Sequence, residues 1–215
     1  MTSPFIPASG QPVALTVQLR VNDYSSNGSL PTPSIWQQWF NRWWEALSVD
    51  ELPYLAPVLA IHPKSSIAIA LTLQLTTDAA IHQLNRDYRN SDRPTDVLAF
   101  SALEALPPSI LVAQVTAQRE DQDLQSPASL ADPIELGDII VSLDTAQAQA
   151  QQMGHSLCLE LAWLGAHGLL HLLGWDHPDQ SQLRQMFTCQ QTLLAAAQLG
   201  TINWGAIDIA AMGYS

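Results

Sequence analysis

The chain has 215 residues, enough for one sizeable core, and its 47% hydrophobic content excludes disorder throughout. Eight basic residues face 20 acidic ones, a formal charge of −12. That balance argues against a broad surface for nucleic acid or anionic membrane, so any phosphate ligand must be held by a local arginine cluster or by a metal.

Residues 1–11 read as a flexible tail, with neither the positive region nor the apolar run of a secretory signal. "VALTVQLRV" (13–21) alternates and reads as a strand. After a loop, "SIWQQWFNRWWEALSVDEL" (34–52) reads as a helix. Trp36, Trp39, Phe40, Trp43 and Leu47 fall on one side at spacings of three and four, as expected of a helix packed on a sheet. An aromatic surface for a partner or for RNA bases is the lesser reading. "SIAIALTLQL" (66–75) is a second strand, and "TTDAAIHQLNRDYR" (76–89) a helix with a Thr/Asp start. "TDVLAFSAL" (95–103) is a third strand. Residues 104–134, rich in proline and acidic side chains, read mostly as an exposed acidic insertion, part of it open to a helical reading. "ELGDIIVSL" (135–143) is a fourth strand, and "DTAQAQAQQMG" a helix ended by Gly154. A histidine-bearing helix follows, then a last helix over 179–200 and a tail over 201–215. The pattern is α+β with one mixed sheet, in one domain spanning 12–200.

Residues 156–175 approach the roughly 20 apolar residues of a membrane span. Glu160, His167 and His171 interrupt them, and no Lys or Arg flanks them closely, so a buried core helix is expected and no membrane partner. Cys158 and Cys189 are the only cysteines and read as buried free thiols in a reducing, cytoplasmic compartment.

"AHGLLHLLGWDH" (166–177) holds three of the six histidines. His167 and His171 are four apart, hence on one helical face. Gly174 can end the helix in the left-handed conformation and let His177 fold back to the same point. Three neutral imidazoles form a typical catalytic zinc shell with one position open. The same offsets occur in metalloproteases, whose general base is a Glu directly after the first His. Here that position is Gly168, which counts against their mechanism. Glu160, seven residues before His167, reads as a group behind the ligands, a base, or an acid satisfied by a neighbour. Asp176 reads equally as an orienter of a ligand imidazole and as a turn former.

"LNRDYRNSDRPTDVLAF" (84–100) puts Arg86, Arg89 and Arg93 within eight positions. It is the one place where this chain could grip phosphate, although a solvated helix end is an equal reading.

Together, "HGLLHLLGWDH", "LNRDYRNSDRPTDVLAF" and "LGDIIVSLDTA" resemble the YbeY family of bacterial endoribonucleases. The histidine motif matches without departure, whereas Ala99 stands where Ser is usual. The resemblance covers about 67–195. It implies a small mixed β-sheet with packed helices and a three-histidine metal site in a cleft. By carry-over His167, His171 and His177 hold one Zn2+, other divalent transition metals being possible, and Arg89 is the phosphate contact. The implied activity is single-strand-specific RNA cleavage in three-prime end maturation of small-subunit ribosomal RNA and in ribosome quality control. Small-subunit ribosomal proteins, many of them basic, are the implied partners and would offset this chain's acidity. The alternatives are a metallopeptidase built on the shared histidine spacing, and a non-catalytic zinc-bearing ribosome assembly factor.

Overall fold

A computed structural model describes residues 15–21, 30–122 and 133–202. The 1–11 tail, the 123–132 part of the expected insertion and nearly all of the 201–215 tail lie outside the described residues.

Four strands form one mixed sheet: β1 (Leu15–Val21), β2 (Ile69–Thr76), β3 (Val97–Ser101) and β4 (Ile134–Ser142), in the order β1-β2-β4-β3. β1, β2 and β4 run parallel, and β3 is antiparallel to β4, which makes β3 an edge strand. Parallel neighbours need crossovers, and helices supply them. Helix α1 (Pro33–Ala46) and the single turn α2 (Ala56–Leu59) lie between β1 and β2, and α3 (Asp78–Arg89) between β2 and β3. The Thr77 hydroxyl caps α3 by accepting from the Ala80 N–H, and Asn90 ends it in the left-handed conformation.

The tryptophan helix packs as its spacing predicts. Trp36, Trp39, Phe40, Trp43 and Trp44 of α1 are buried, and Trp36 and Trp39 meet edge to face with centroids 5.0 Å apart. Such rings dominate a core by the area they remove from water. The helix stops at Ala46, short of the expected residue 52. Ser48 begins a new turn there, with the Glu51 carboxylate accepting from the Ser48 N–H at 2.7 Å. Lys64, the single lysine, donates to the carbonyls of Trp44 and Leu47 and lies over the Trp44 ring. It is committed to the end of α1.

One expectation needs correction. The 104–134 segment carries a helix, α4 (Pro108–Gln122), as the partly helical reading allowed, but that helix is not wholly exposed. Its Leu111 and Val115 are buried in the main core, along with Leu103 just before it. They fall at a spacing of four and make one narrow apolar stripe. The many charges and prolines around that stripe obscure it.

Helices α5 (Leu143–Met153), α6 (Leu157–Leu172) and α7 (Gln180–Ala196) complete the fold. Twelve of the 16 residues of α6 are buried, which places it inside the core on every side and explains its nearly continuous apolar sequence. Among the described residues no helix is long and apolar enough to cross a membrane.

Candidate metal centre

Helix α6 carries His167 and His171 one turn apart, with their Nε2 atoms at 3.1 Å. The helix then closes on Gly174, at φ +100°. The Trp175 N–H donates to the Leu170 carbonyl at 3.0 Å and the Gly174 N–H to the His171 carbonyl at 3.1 Å, the paired bonds of a glycine-terminated helix. A Cβ on residue 174 would also sit 2.9 Å from the Tyr54 ring. The Trp175 indole donates to the Glu51 carbonyl at 2.9 Å and anchors the returning chain. His177 thus comes back over the helix end, its ring centroid 5.4 Å from that of His167 and 5.1 Å from that of His171. One nitrogen from each ring lies within 4.8 Å of the others, a group able to hold a metal ion.

Protonation favours that use. Burial and the neighbouring imidazoles hold His167 well below its usual range and His171 at about 4, so both rings are neutral near pH 7. The Gln190 Nε2 donates to the Trp163 carbonyl at 3.2 Å, which turns its Oε1 toward His167 Nδ1, also at 3.2 Å. His167 Nδ1 therefore carries the proton, and Nε2 presents a lone pair. A hydrogen bond to the Trp175 backbone also holds the His171 ring. The His167 lone pair thus faces His171 Nε2 at 3.1 Å, and a cation bound there would take both atoms as ligands once His171 Nε2 is unprotonated. Zinc–nitrogen bonds of 2.0–2.1 Å in a tetrahedron would space such atoms about 3.3 Å apart, so the residues fit the ion.

The histidines border a cleft of about 470 Å³, with Arg89, Arg93, Asp96 and the β3 residues Val97, Leu98 and Ala99 among its walls. Arg89, at the end of α3, donates from Nη2 to the Ala99 carbonyl at 3.2 Å. Arg93 is held by its backbone, whose carbonyl accepts from Asn85 Nδ2 at 2.8 Å. Of the three arginines in the 84–100 motif, Arg89 and Arg93 reach the cleft, while Arg86 lies 3.6 Å from Asp87 and does not line it. Asp176 lines the cleft and accepts the backbone N–H of His177 at 2.8 Å, so it acts at least as the turn former.

Glu160 is almost fully buried and bonded to His155 Nε2, and it is not among the cleft residues. Burial and the nearby Asp96 charge push its carboxyl up to about 8. The folded chain therefore keeps a proton that the unfolded chain loses near 4.5. That contribution to stability is fully present below the lower value and is lost as pH rises through the higher one. Wild-type unfolding free energy is expected to fall by on the order of 2–4 kcal/mol between about pH 5 and pH 9 from this group. Glu160→Gln, which cannot ionise, should flatten that slope in denaturant melts across the same range; an unchanged slope would place the titration elsewhere.

Gly168 faces β4, where an added Cβ would come 2.6 Å from Ile139 Cγ2. The helix sits too close to the sheet for any side chain, so the glutamate of the metalloprotease motif has no room. Gly168→Ala is expected to lower stability by roughly 1–3 kcal/mol through overpacking. Thermal melts measure it directly, and in an Ile139→Ala background, which lacks the clashing Cγ2, the same substitution should cost less.

Three contributors escaped the sequence reading. Gln190 stands at an apolar-stripe position of α7, among Leu183, Met186, Phe187 and Leu194, and a polar side chain there was a legible signal. Asp96 and Asn85 are buried polar residues inside the 84–100 motif, whose arginines drew the attention.

The family model described as "Endoribonuclease YbeY" matches residues 38–198, starting inside α1 and well upstream of residue 67. A protein from a Nostoc species named "Endoribonuclease YbeY" is 47% identical over 165 residues, covering 77% of this chain and 74% of the relative. One of the same name from a Cyanothece species is 42% identical over 188 residues, 86% of this chain and 95% of the relative. The solution structure of TM1509 from Thermotoga maritima aligns at 16% identity with a TM-score of 0.42, over 85% of this chain and 92% of that one. The alternatives of a peptidase and a passive assembly factor find no support in these relatives, and the tight Gly168–Ile139 contact removes the peptidase base. By the matched span and by these identities, the chain belongs to the YbeY endoribonuclease family.

Proposed function

We propose that this protein is a zinc-dependent endoribonuclease that cuts single-stranded RNA in the cleft between α6 and β3. The observation that carries the reading is the convergence of three imidazoles beside Arg89 and Arg93, in a chain of net charge −12. His167, His171 and His177 would hold the ion, with Gln190 fixing the tautomer of His167. When bound, the cation supplies Lewis acidity and positive charge at the scissile phosphate. Arg89 binds a phosphate oxygen pair and neutralises charge as it builds up during cleavage. Glu160 acts from behind the site by holding His155 and the start of α6, rather than as a base. The cellular substrate on this reading is the small-subunit ribosomal RNA precursor at its three-prime end, in the cytoplasm. Basic small-subunit ribosomal proteins are the docking partners, since a largely acidic surface repels RNA within the roughly 8 Å screening length.

The test pairs metal analysis with RNA cleavage. Purified protein should contain about one zinc per chain. A chelator should stop cleavage of a single-stranded RNA, and zinc should restore it better than magnesium. Full cleavage by metal-free protein would overturn the metal-dependent reading.

A further inference from the structure

Strand β3 lies at the edge of the sheet, and its outer side opens on the cleft. The ladder shows which backbone groups point outward. Asp96 accepts from the Ser142 N–H and Ala102 donates to the Leu136 carbonyl, so residues 96, 98, 100 and 102 turn toward β4. Val97, Ala99 and Ser101 therefore turn their N–H and C=O groups away from it. Two of these groups are already used: the Val97 N–H donates to Asp96 Oδ1 at 2.8 Å, and the Ala99 carbonyl accepts from Arg89. Between them the Val97 carbonyl and the Ala99 N–H remain, one acceptor and one donor, facing the cleft that holds the three histidines.

We propose that the free edge of β3 reads an unpaired base of the RNA, with the Val97 carbonyl and the Ala99 N–H bonding to its pairing edge. The inference rests on the endoribonuclease reading and gives it a cause for single-strand preference. A base in a duplex has already spent its pairing edge and cannot meet the strand. RNA is the occupant favoured over an added protein strand, because Arg89 and Arg93 put positive charge at this edge in an otherwise acidic chain. Arg89 joins the two roles, since the guanidinium that reaches the phosphate position is also bonded to the strand. Every base carries both a donor and an acceptor on its pairing edge, so the contact favours unpaired bases without demanding one sequence.

The experiment uses the full zinc-loaded chain and short adenosine-rich single strands, each with one adenosine replaced by 1-deazaadenosine. That analogue keeps the ring and loses the acceptor of the pairing edge. At one position near the cut, the replacement should slow wild-type cleavage roughly 3- to 30-fold. Ala99→Pro removes only an outward N–H, a change that edge strands tolerate. It should slow cleavage of the unmodified strand similarly and show no further loss with the analogue at that position. Should Ala99→Pro fail to fold or to hold zinc, the wild-type scan decides alone. Cleavage indifferent to the analogue at every position overturns the inference and leaves a protein strand as the occupant of the edge. No cleavage of the unmodified strand overturns the endoribonuclease reading and the inference with it.

Discussion

His171→Ala is expected to lose its metal and to cut RNA at no more than the background rate. His171 stands at the middle of the three ligands, with its Nε2 3.1 Å from that of His167 and its ring next to that of His177. Two imidazoles in place of three leave the ion without a chelating face. Disturbing a partner behind a ligand already lowers metal affinity about 10- to 100-fold, and removing a ligand should exceed that. No neighbour can substitute, because Leu170, Leu172 and Leu173 surround His171 on the helix. Far-ultraviolet circular dichroism should stay close to wild type, since α6 is held by its apolar contacts all round. The control is metal-free wild type: the variant should melt where that protein melts. Elemental analysis showing a full complement of zinc in His171→Ala would remove these three residues as the ligand set.

Arg89→Ala is expected to lower cleavage by ~10- to 150-fold at unchanged metal content. A charge-assisted hydrogen bond is worth about 1.5–3 kcal/mol, and that loss converts directly into this range of rate. Arg89→Lys should recover only part of it, because one ammonium cannot reproduce a two-pronged contact. Arg86→Ala should do less, since Arg86 points to Asp87 and does not line the cleft. The bond from Arg89 to the Ala99 carbonyl offers a purely structural account of the residue. On that account Arg89→Ala would lower the melting temperature slightly and leave cleavage per folded molecule unaltered. Melting and cleavage measured on one preparation separate the two.

Much of this site was legible in one dimension because its information is local. Two histidines four apart share a helical face whatever surrounds the helix. A glycine seven positions after the first histidine is where the left-handed turn sits, and it delivers His177 as its position suggests. The same locality made the tryptophan helix, the four strands and the cap at Thr77 readable from spacing and residue type. The segment after β3 shows where locality fails. Its two buried residues, Leu111 and Val115, are a short stripe among charges and prolines, and only the surrounding core tells which face of α4 is covered.

By itself the sequence determined the α+β class, the metal motif, the arginine cluster and, through their conjunction, the family. The tertiary structure decided what depends on distant segments meeting. It chose Arg89 and Arg93 over Arg86, because the cleft forms only where α6, far along the chain, meets β3 beside the end of α3 and the following loop. It brought Gln190 of α7 to His167, 23 positions away, and so selected the tautomer. It buried Glu160 near Asp96 and raised its carboxyl, an effect of burial and field that no spacing encodes. It left β3 at the rim of the sheet, with two backbone groups open to the cleft. Strand order sets which edge is free, and strand order is a property of the whole chain.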